Sequence, residues 1–331
     1  MGSRVNSSAF VFLGLVEMEE LHYLYCALAT VAYLFILTLS VAIVFVVLTE
    51  PSLHEPMYIL IGNLVLNGLI GSTAVLPKLI VDLITSTKHI SYDLCVMQCL
   101  ATALFAMYEM RNFTIMACDR YLAVCYPLHY NTLMTKEKTM KLIAGCWIFS
   151  FVLALTGILL TWNLTLCGDK INNIFCDNMS LVALSCSDSS ISRLVSATGI
   201  SMCFVVTILV TIFSYVNIFV TCSKLSKESR QKAFHTLMTH LINFSIFLVG
   251  IFFIVIRYRL GNVQLSLTVH VLLSITPMVF PPVFNPLIYG VRTHALKMNV
   301  LKYFWKLQLE TKSLKQSSLK TVTSWQKKIK N

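Results

Sequence analysis

The amino-acid sequence predicts an all-α membrane protein, a bundle of seven transmembrane helices with a short amphipathic helix after the seventh span. Two observations predict this fold class. The 331-residue chain is 56% hydrophobic and only 12% charged, with a mean hydropathy of +0.74. Soluble domains carry about 25% charged residues, so half that fraction indicates a lipid-facing exterior. Long apolar stretches also recur along the chain, and a helix needs roughly 20 apolar residues to cross about 30 Å of hydrocarbon.

Seven apolar stretches predict the seven spans in chain order. They are Leu24–Leu48, Met57–Ile84, Leu94–Tyr126, Met140–Trp162, Val195–Cys222, Phe234–Arg257 and Leu265–Tyr289. The last is interrupted by prolines, which are tolerated where neighbouring helices satisfy the freed backbone groups. The predicted organisation is an extracellular segment at 1–23, the seven-helix domain at 24–289, an amphipathic helix at 290–306 and a cytoplasmic tail at 307–331. The basic, Ser- and Thr-containing composition of the tail predicts disorder.

The distribution of basic residues predicts the orientation. If the amino terminus is outside, most of the 26 Lys and Arg residues fall on the inner side, chiefly in the third inner loop and the tail. The positive-inside rule therefore places the amino terminus outside and the carboxyl terminus in the cytosol. The net charge of +11 is then explained by contact with anionic membrane lipids. No basic groove interleaved with aromatic residues is present, which argues against nucleic-acid binding.

Two motifs mark the predicted inner ends of the third and seventh spans. The run MACDRYLAVCYPLHY places Asp119 and Arg120 at the end of an apolar helix. A D-R pair alone is compatible with a helix end capped by solvated charge, but the residues that follow it make this reading less favourable. The second motif is N-P-x-x-Y, formed by Asn285, Pro286 and Tyr289. Pro286 interrupts the helical hydrogen bonds, which leaves a point where Tyr289 can move.

Further runs stand at fitting places on both sides of these motifs: LHEPMY before the second span, Ser214-Tyr215 in the fifth, and KAFHT and THL in the sixth. Together they resemble the vertebrate odorant receptors, a branch of the rhodopsin-like receptors coupled to G proteins. The resemblance extends from about Asn6 to Trp305. The combination of GN-L-LN, YEM-NFT and LINFS is closer to fish odorant receptors than to mammalian ones.

The resemblance implies a G-protein coupling and switch site at the cytosolic mouth, with Arg120 pointing inward and Asp119 neutralising it. Its predicted members are Asp119, Arg120, Tyr121, Tyr215, His240, Asn285, Pro286 and Tyr289. His240 fits a structural hydrogen bond better than a pH sensor. The chain also departs from the family. Where the family usually has an aspartate in the second span, this chain has Gly68, so the carboxylate that could bind an ion is absent from that position. Where the family has Phe-Tyr-Gly in the sixth span, this chain has Phe247, Leu248, Val249 and Gly250, so the usual switching tyrosine is not at that position.

Two ionisable residues fall deep in the third span. Glu109 matches a position that the family fills with glutamate, and a group at this depth is a functional-site candidate by default. We weigh a structural polar network, ion or proton sensing, and chance placement, with the network favoured. Arg111 lies two residues further on, roughly 200° around the helix, so it is not a natural partner for Glu109. The sequence offers no account of Arg111.

Four of the eleven cysteines fall in the oxidising outer compartment, namely Cys95, Cys167, Cys176 and Cys186. Four cysteines allow three pairings. The resemblance implies Cys95–Cys176 and Cys167–Cys186, with Cys95–Cys186 as the alternative. Predicted glycosylation sequons begin at Asn6, Asn163 and Asn178.

Helical register, counted outward from Arg120 and Pro286, predicts a ligand cavity among the third, fifth, sixth and seventh spans. Its predicted lining is Thr102, Ala103, Ala106, Met107, Cys203, Ile251, Phe252, Val255, Ile275 and Met278. Most of these side chains are apolar, which suits a small ligand held by burial. Any single one is more often core packing than a ligand contact.

The expected function is that of an odorant receptor in the plasma membrane of olfactory sensory neuron cilia. Its expected partners are a small-molecule odorant, a stimulatory G protein of the olfactory type and membrane lipids. The alternatives are a non-olfactory rhodopsin-like receptor for a peptide or lipid, and a small transporter or channel, although the internal repeats of transporters are missing. The motifs of hydrolases, metalloproteases and phosphate-binding loops are absent, so no enzyme activity, cofactor or metal site is expected.

Overall fold

The computed structural model describes residues 9–224, 241–250 and 267–305, together with the single positions 231, 238, 252 and 308. Over this part of the chain, five helices are long and apolar enough to cross a membrane, and shorter apolar helical stretches lie at Leu241–Gly250 and Ile275–Val291. The all-α seven-helix prediction is confirmed by this arrangement together with the fold comparison given below. Of the sixth predicted span, only Leu241–Gly250 and the single positions 238 and 252 are described.

The long helices exceed the predicted spans at several ends. They are α2 (His22–Thr49), α3 (Pro56–Thr85), α4 (Tyr92–Cys125), α6 (Lys136–Trp162), α8 (Ser190–Ser223) and α10 (Leu267–Arg292). Shorter helices are α1 (Gly14–Glu17), α5 (Pro127–Leu133), α7 (Asn178–Ala183), α9 (Leu241–Gly250) and α11 (294–305). Helices α6 and α8 begin at Lys136 and Ser190 rather than Met140 and Val195, because polar residues continue each helix beyond its apolar stretch.

Local capping explains where the helices begin. The Leu94 N–H donates to Ser91 Oγ at 3.4 Å before α4, and the Lys138 N–H donates to Thr135 Oγ1 at 3.2 Å before α6. These hydroxyls satisfy amide groups that have no partner within the helix. Pro56 occupies the first turn of α3, where its missing N–H costs nothing.

The helices pack around α3, which contacts α2, α4 and α10, while α4 packs along α8. Gly71 of α3 faces the ring of Phe105 on α4, and a Cβ atom there would lie 2.5 Å from the ring. Gly68 lies against Pro282 of α10, where a Cβ atom would be 3.3 Å from the Pro282 Cα atom. The glycine in place of the family aspartate therefore lets α3 and α10 approach closely.

The two ends of the bundle carry different chemical groups. The disulfide end carries the Cys95–Cys176 bond, and the Arg120 end carries Arg120 at the opposite end of α4. Between them, the outward faces expose large apolar side chains such as Leu34 on α2, Phe151 on α6 and Leu209 on α8, which are 53%, 44% and 61% exposed. An apolar exterior of this kind is suited to lipid rather than water.

A small three-stranded sheet, not predicted from the sequence, covers the disulfide end. Strand β1 (Ala9–Phe12) lies in the middle, antiparallel to β2 (His89–Ser91) and parallel to β3 (Lys170–Ile171). Phe10 and Phe12 point inward and are fully buried. The end of the predicted extracellular segment at 1–23 is thus an ordered part of the outer surface of the bundle.

Candidate functional site

Two disulfides hold the loop between α6 and α8 over the bundle. Cys95 in the first turn of α4 is bonded to Cys176, with a Cα–Cα distance of 5.3 Å, and Cys167 is bonded to Cys186 at 5.7 Å. These are the pairs that the family resemblance implies. The Cys176 N–H also donates to Gln98 Oε1 at 2.7 Å, and Gln98 Nε2 donates to the Ala74 carbonyl at 2.8 Å. The loop is therefore fastened to α4, and the same Gln98 side chain bonds α4 to α3.

A cavity of about 140 Å³ lies directly beneath this loop, between α4, α6 and α8. Five side chains predicted from the sequence line it: Thr102, Ala103, Ala106, Met107 and Met278. Ile275 instead lines a separate apolar cavity of about 330 Å³ between α2, α3 and α10. Phe252 is 59% exposed and does not line the first cavity, and Ile251 and Val255 lie outside the described residues.

The fourth span and the loop also line the cavity, which the sequence patterns did not predict. Ala154 and Gly157 of α6 line one wall, and Asp177 and Asn178 form part of the roof. The available signal was the position of the roof residues directly after Cys176, since a disulfide to the top of α4 brings its neighbours over the bundle. The small residues of α6 also mark the wall, because they leave volume that larger side chains would fill.

Cys203 lies below the cavity and contacts Arg111. Arg111 Nη1 donates to the Met107 carbonyl at 2.7 Å and to Ser150 Oγ at 2.9 Å, and Nη2 donates to the Cys203 sulfur at 3.3 Å. One face of the guanidinium lies 4.7 Å from the Phe149 ring centroid. All of these partners are neutral.

A buried polar network surrounds Glu109 halfway along α4. Asn67 of α3 donates to Glu109 Oε2 at 2.6 Å, and Asn285 of α10 donates to Oε1 at 2.9 Å. All three side chains are almost completely buried. The contacts have the geometry of the favoured structural network, which joins three helices.

A second polar cluster lies beside this network. The Trp147 indole N–H of α6 donates to Asn63 Oδ1 of α3 at 3.1 Å, and the ring of Tyr108 stacks on Trp147 with centroids 4.0 Å apart. Asn63 also donates to the Tyr108 hydroxyl. Because these groups satisfy one another away from water, α3, α4 and α6 are fixed in one register.

At the opposite end of α4, Arg120 forms an ion pair with its neighbour Asp119. Arg120 Nε donates to Asp119 Oδ2 at 2.9 Å, and Nη2 contacts the same oxygen. The Tyr130 hydroxyl of α5 donates to Asp119 Oδ1 at 2.7 Å. Burial raises the pKa of the Tyr130 phenol, and the nearby Asp119 carboxylate raises it further. The Asp119 side chain is only 1% exposed, so the pair is not a solvated helix cap.

The other predicted switch residues surround this ion pair. Tyr121 of α4 and Tyr215 of α8 pack with Leu241 of α9 around a small buried cluster. Tyr289 is 1% exposed, and Pro286 is buried within α10. Leu248 packs partly buried against the larger apolar cluster that contains Tyr289. His240 lies outside the described residues.

The sequon asparagines have different surroundings. Asn163 is exposed at the end of α6, where its Nδ2 donates to the Leu159 carbonyl at 3.2 Å. Asn178 begins α7, lines the cavity and donates to Ser196 Oγ at 3.4 Å, so a glycan there would have to displace this contact. Asn6 lies outside the described residues. Glycosylation at these sites stays a prediction.

Comparison with known proteins identifies the family. The family model described as "Olfactory receptor" matches residues 28–306. The chain belongs to the olfactory receptor family. Human olfactory receptor 5B17 is 32% identical over 95% of this chain and 100% of its own length, and human olfactory receptor 5B21 is 35% identical over 93% and 99%. Mouse olfactory receptor 4B13 is 30% identical over 92% and 99%.

The fold comparison agrees with this family. Squid rhodopsin superposes with a TM-score of 0.69 over 87% of each chain, although the sequences are only 16% identical. This olfactory receptor therefore has the seven-helix fold of a G-protein-coupled receptor, and it is a multi-pass membrane receptor rather than an enzyme. The expected closeness to fish receptors stays a prediction.

Proposed function

We propose that this olfactory receptor binds a small-molecule odorant in the cavity beneath the disulfide-bonded loop and activates a stimulatory G protein of the olfactory type, which raises cyclic AMP. The observation that carries the proposal is the presence of two sites at opposite ends of α4. A largely apolar cavity contacts Thr102 and Met107, and a shielded guanidinium lies at Arg120. A change in the packing of α4 reaches both sites.

The mechanism is a shift between two packings of the bundle. An odorant changes their populations only if it binds the active packing better than the resting one, since equal affinity for both shifts nothing. In the resting packing, Asp119 and Tyr130 hold Arg120 and its surroundings in place. In the active packing, we expect the helix that contains α9 to move away from α4 and α8, so that an apolar groove beside Arg120 receives a helix of the G protein.

The disulfide end faces the outside and the Arg120 end faces the cytosol in this proposal. The basic residues of the loops and tail support this orientation through the positive-inside rule. The two disulfides support it independently, because such bonds form and persist in oxidising compartments. The proposed location is the plasma membrane of olfactory sensory neuron cilia. Glycosylation mapping that placed the amino end in the cytosol would contradict the proposal.

The test is odorant-evoked cyclic AMP in cells that express the full chain with an olfactory-type stimulatory G protein. We expect at least one member of a panel of small odorants to raise cyclic AMP. Arg120→Ala should abolish the response while the amount of receptor at the cell surface is retained. Lys141→Ala is the matched control, because Lys141 is an exposed basic residue at the same end whose described ion pair is with Glu137, one turn away on its own helix. Ligand-dependent uptake or current without a G protein would favour a transporter or channel instead.

A further inference from the structure

Arg111 is a charged residue in the middle of the membrane with no charged partner in the described part of the chain. At a rise of 1.5 Å per residue, it lies about 28 Å from the start of α4 and about 21 Å from its end. A guanidinium is permanently protonated, and a charge at this depth is costly unless it is paired or functional. Glu109 does not provide the pair, because both of its oxygens accept from asparagines.

Arg111 does not itself line the cavity, but its guanidinium lies on the Arg120 side of the residues that do. Each of its three described hydrogen-bond partners either lines the cavity or lies one helical turn from a residue that does. Met107 itself lines the cavity, Ser150 lies one turn below the lining residue Ala154 on α6, and Cys203 lies one turn below the lining residue Gly199 on α8. Side chains on a helix point toward its amino terminus, so Arg111 rises toward the cavity rather than away from it.

One edge of the guanidinium is poorly satisfied. Among the residues that the structure describes, Nη1 makes two hydrogen bonds to oxygen, but Nη2 contacts only the Cys203 sulfur, a weak acceptor. Within the described residues, Nε has no hydrogen-bond partner. Nε and Nη2 form the edge that binds a carboxylate through two parallel hydrogen bonds. This edge can therefore take an anionic oxygen pair without disturbing the bonds of Nη1.

Asp177, in the roof of the cavity, has the opposite charge, and both of its carboxylate oxygens accept hydrogen bonds. The Ser180 N–H donates to Asp177 Oδ1 at 2.9 Å, and Asn173 Nδ2 and Ser180 Oγ donate to Oδ2 at 2.9 and 2.7 Å. An anionic ligand is repelled at the roof and attracted at the floor, so the field across the cavity orients it with its negative group toward Arg111.

We propose that the odorants of this receptor are small monocarboxylates, whose carboxylate binds Arg111 at the cavity floor while the hydrocarbon chain fills the apolar space above. This inference rests on the proposed function and names the ligand class of the same site. The size follows from the volume. An apolar cavity of about 150 Å³ binds benzene, so a cavity of about 140 Å³ suits a ligand with roughly six to eight non-hydrogen atoms.

The test measures binding to the purified full-length receptor in lipid nanodiscs by ligand-induced thermal stabilisation. The probes are butanoate, pentanoate and hexanoate, each compared with the primary amide of the same chain length, which has the same shape without the charge. We expect the carboxylate to bind about tenfold to a hundredfold more tightly than its amide, as a charge-assisted hydrogen-bond pair implies. Equal affinity of the carboxylate and the amide would overturn the inference.

Three substitutions test which residues cause the preference for the carboxylate over the amide. Arg111→Gln should reduce carboxylate affinity to the level of the amide and leave amide binding unchanged, whereas Arg193→Gln, which removes an exposed arginine of α8, should leave both unchanged. Asp177→Asn should raise carboxylate affinity without changing amide affinity, and this gain tests the orientation even if Arg111→Gln fails to fold. A carboxylate preference that persists in Arg111→Gln, or Asp177→Asn without a gain, would overturn the inference.

Binding to the isolated receptor needs no G protein, so the two proposals fail separately. Carboxylates that bind through Arg111 but raise no cyclic AMP would contradict the proposed function and leave this inference standing. Cyclic AMP responses to neutral odorants alone, with no carboxylate binding, would support the proposed function and overturn the inference.

Discussion

The side-chain amide of Asn285 on α10 donates to the Glu109 carboxyl group on α4 at 2.9 Å, and both side chains are buried. The other Glu109 oxygen accepts from Asn67 on α3. Asn285 precedes Pro286, which interrupts the hydrogen bonds of α10 and gives that helix a point of movement. The Glu109–Asn285 hydrogen bond therefore connects the centre of the bundle to the part of α10 that contains Pro286 and Tyr289.

Removing the Asn285 amide should destabilise the receptor. Asn285→Ala leaves Glu109 Oε1 without a described partner, and an unsatisfied buried acceptor costs about 1–3 kcal/mol, more if it is charged. We expect a lower melting temperature of the purified receptor. Asn217→Ala is the control, because Asn217 is partly exposed on α8 and, among the described residues, its side chain donates to the Phe213 carbonyl of its own helix. If Asn285→Ala and Asn217→Ala melt alike, the network does not hold the bundle together.

Loosening the Arg120 ion pair should raise signalling without odorant. Tyr130→Phe removes the hydroxyl that donates to the Asp119 carboxylate, and a hydrogen bond to a charged group contributes about 1.5–3 kcal/mol. The resting packing loses this stabilisation, so basal cyclic AMP should rise about tenfold or more at equal surface amount. Tyr23→Phe, at a tyrosine that is 80% exposed at the other end, should have no effect. Basal signalling that is unchanged or lower in Tyr130→Phe would show that Tyr130 does not favour the resting state.

The two disulfides should contribute unequally to stability. Their cysteines are separated by 81 and 19 residues, and the chain-entropy model assigns the longer closure about 4.5 kcal/mol and the shorter about 3 kcal/mol. The paired replacement Cys95→Ser with Cys176→Ser should therefore lower the melting temperature more than Cys167→Ser with Cys186→Ser. Cys26→Ser, at a free cysteine of α2, controls for loss of a thiol. A larger fall in melting temperature on loss of the Cys167–Cys186 bond than on loss of the Cys95–Cys176 bond would contradict this ranking.

Filling the cavity should block odorant binding without harming the fold. Gly199 lines the cavity, and a Cβ atom added there meets no atom within 4 Å, so Gly199→Leu should extend into the open space. Odorant responses should fall at least tenfold in potency. The matched control is Gly145→Leu on α6, which is equally open but lies outside the cavity. Both changes replace glycine within a helix, which favours the helix by about 0.8 kcal/mol, so loss of surface receptor is not expected. A retained response in Gly199→Leu would place the odorant elsewhere.

The apolar periodicity and the motifs determined much of this protein. A stretch of apolar residues long enough to cross hydrocarbon has few alternatives to a helix, because lipid offers no partners for open backbone groups. The helices and the family therefore follow from local sequence. The position of Arg120 at a helix end follows as well, since it comes directly after an apolar run and before Pro127.

Only the tertiary structure decided which side chains face one another. Counting helical turns along α4 and α10 predicted the residues that these two helices contribute to the cavity. The α6 residues in the cavity wall could not be predicted in this way, because their position depends on how α6 packs against α4. Arg111 is the clearest case. Its sequence neighbours give it no role, and its position below the cavity follows only from Ser150 and Cys203 of two other helices. Contacts between helices arise from the simultaneous packing of many side chains, so they depend on the whole fold rather than on any single segment.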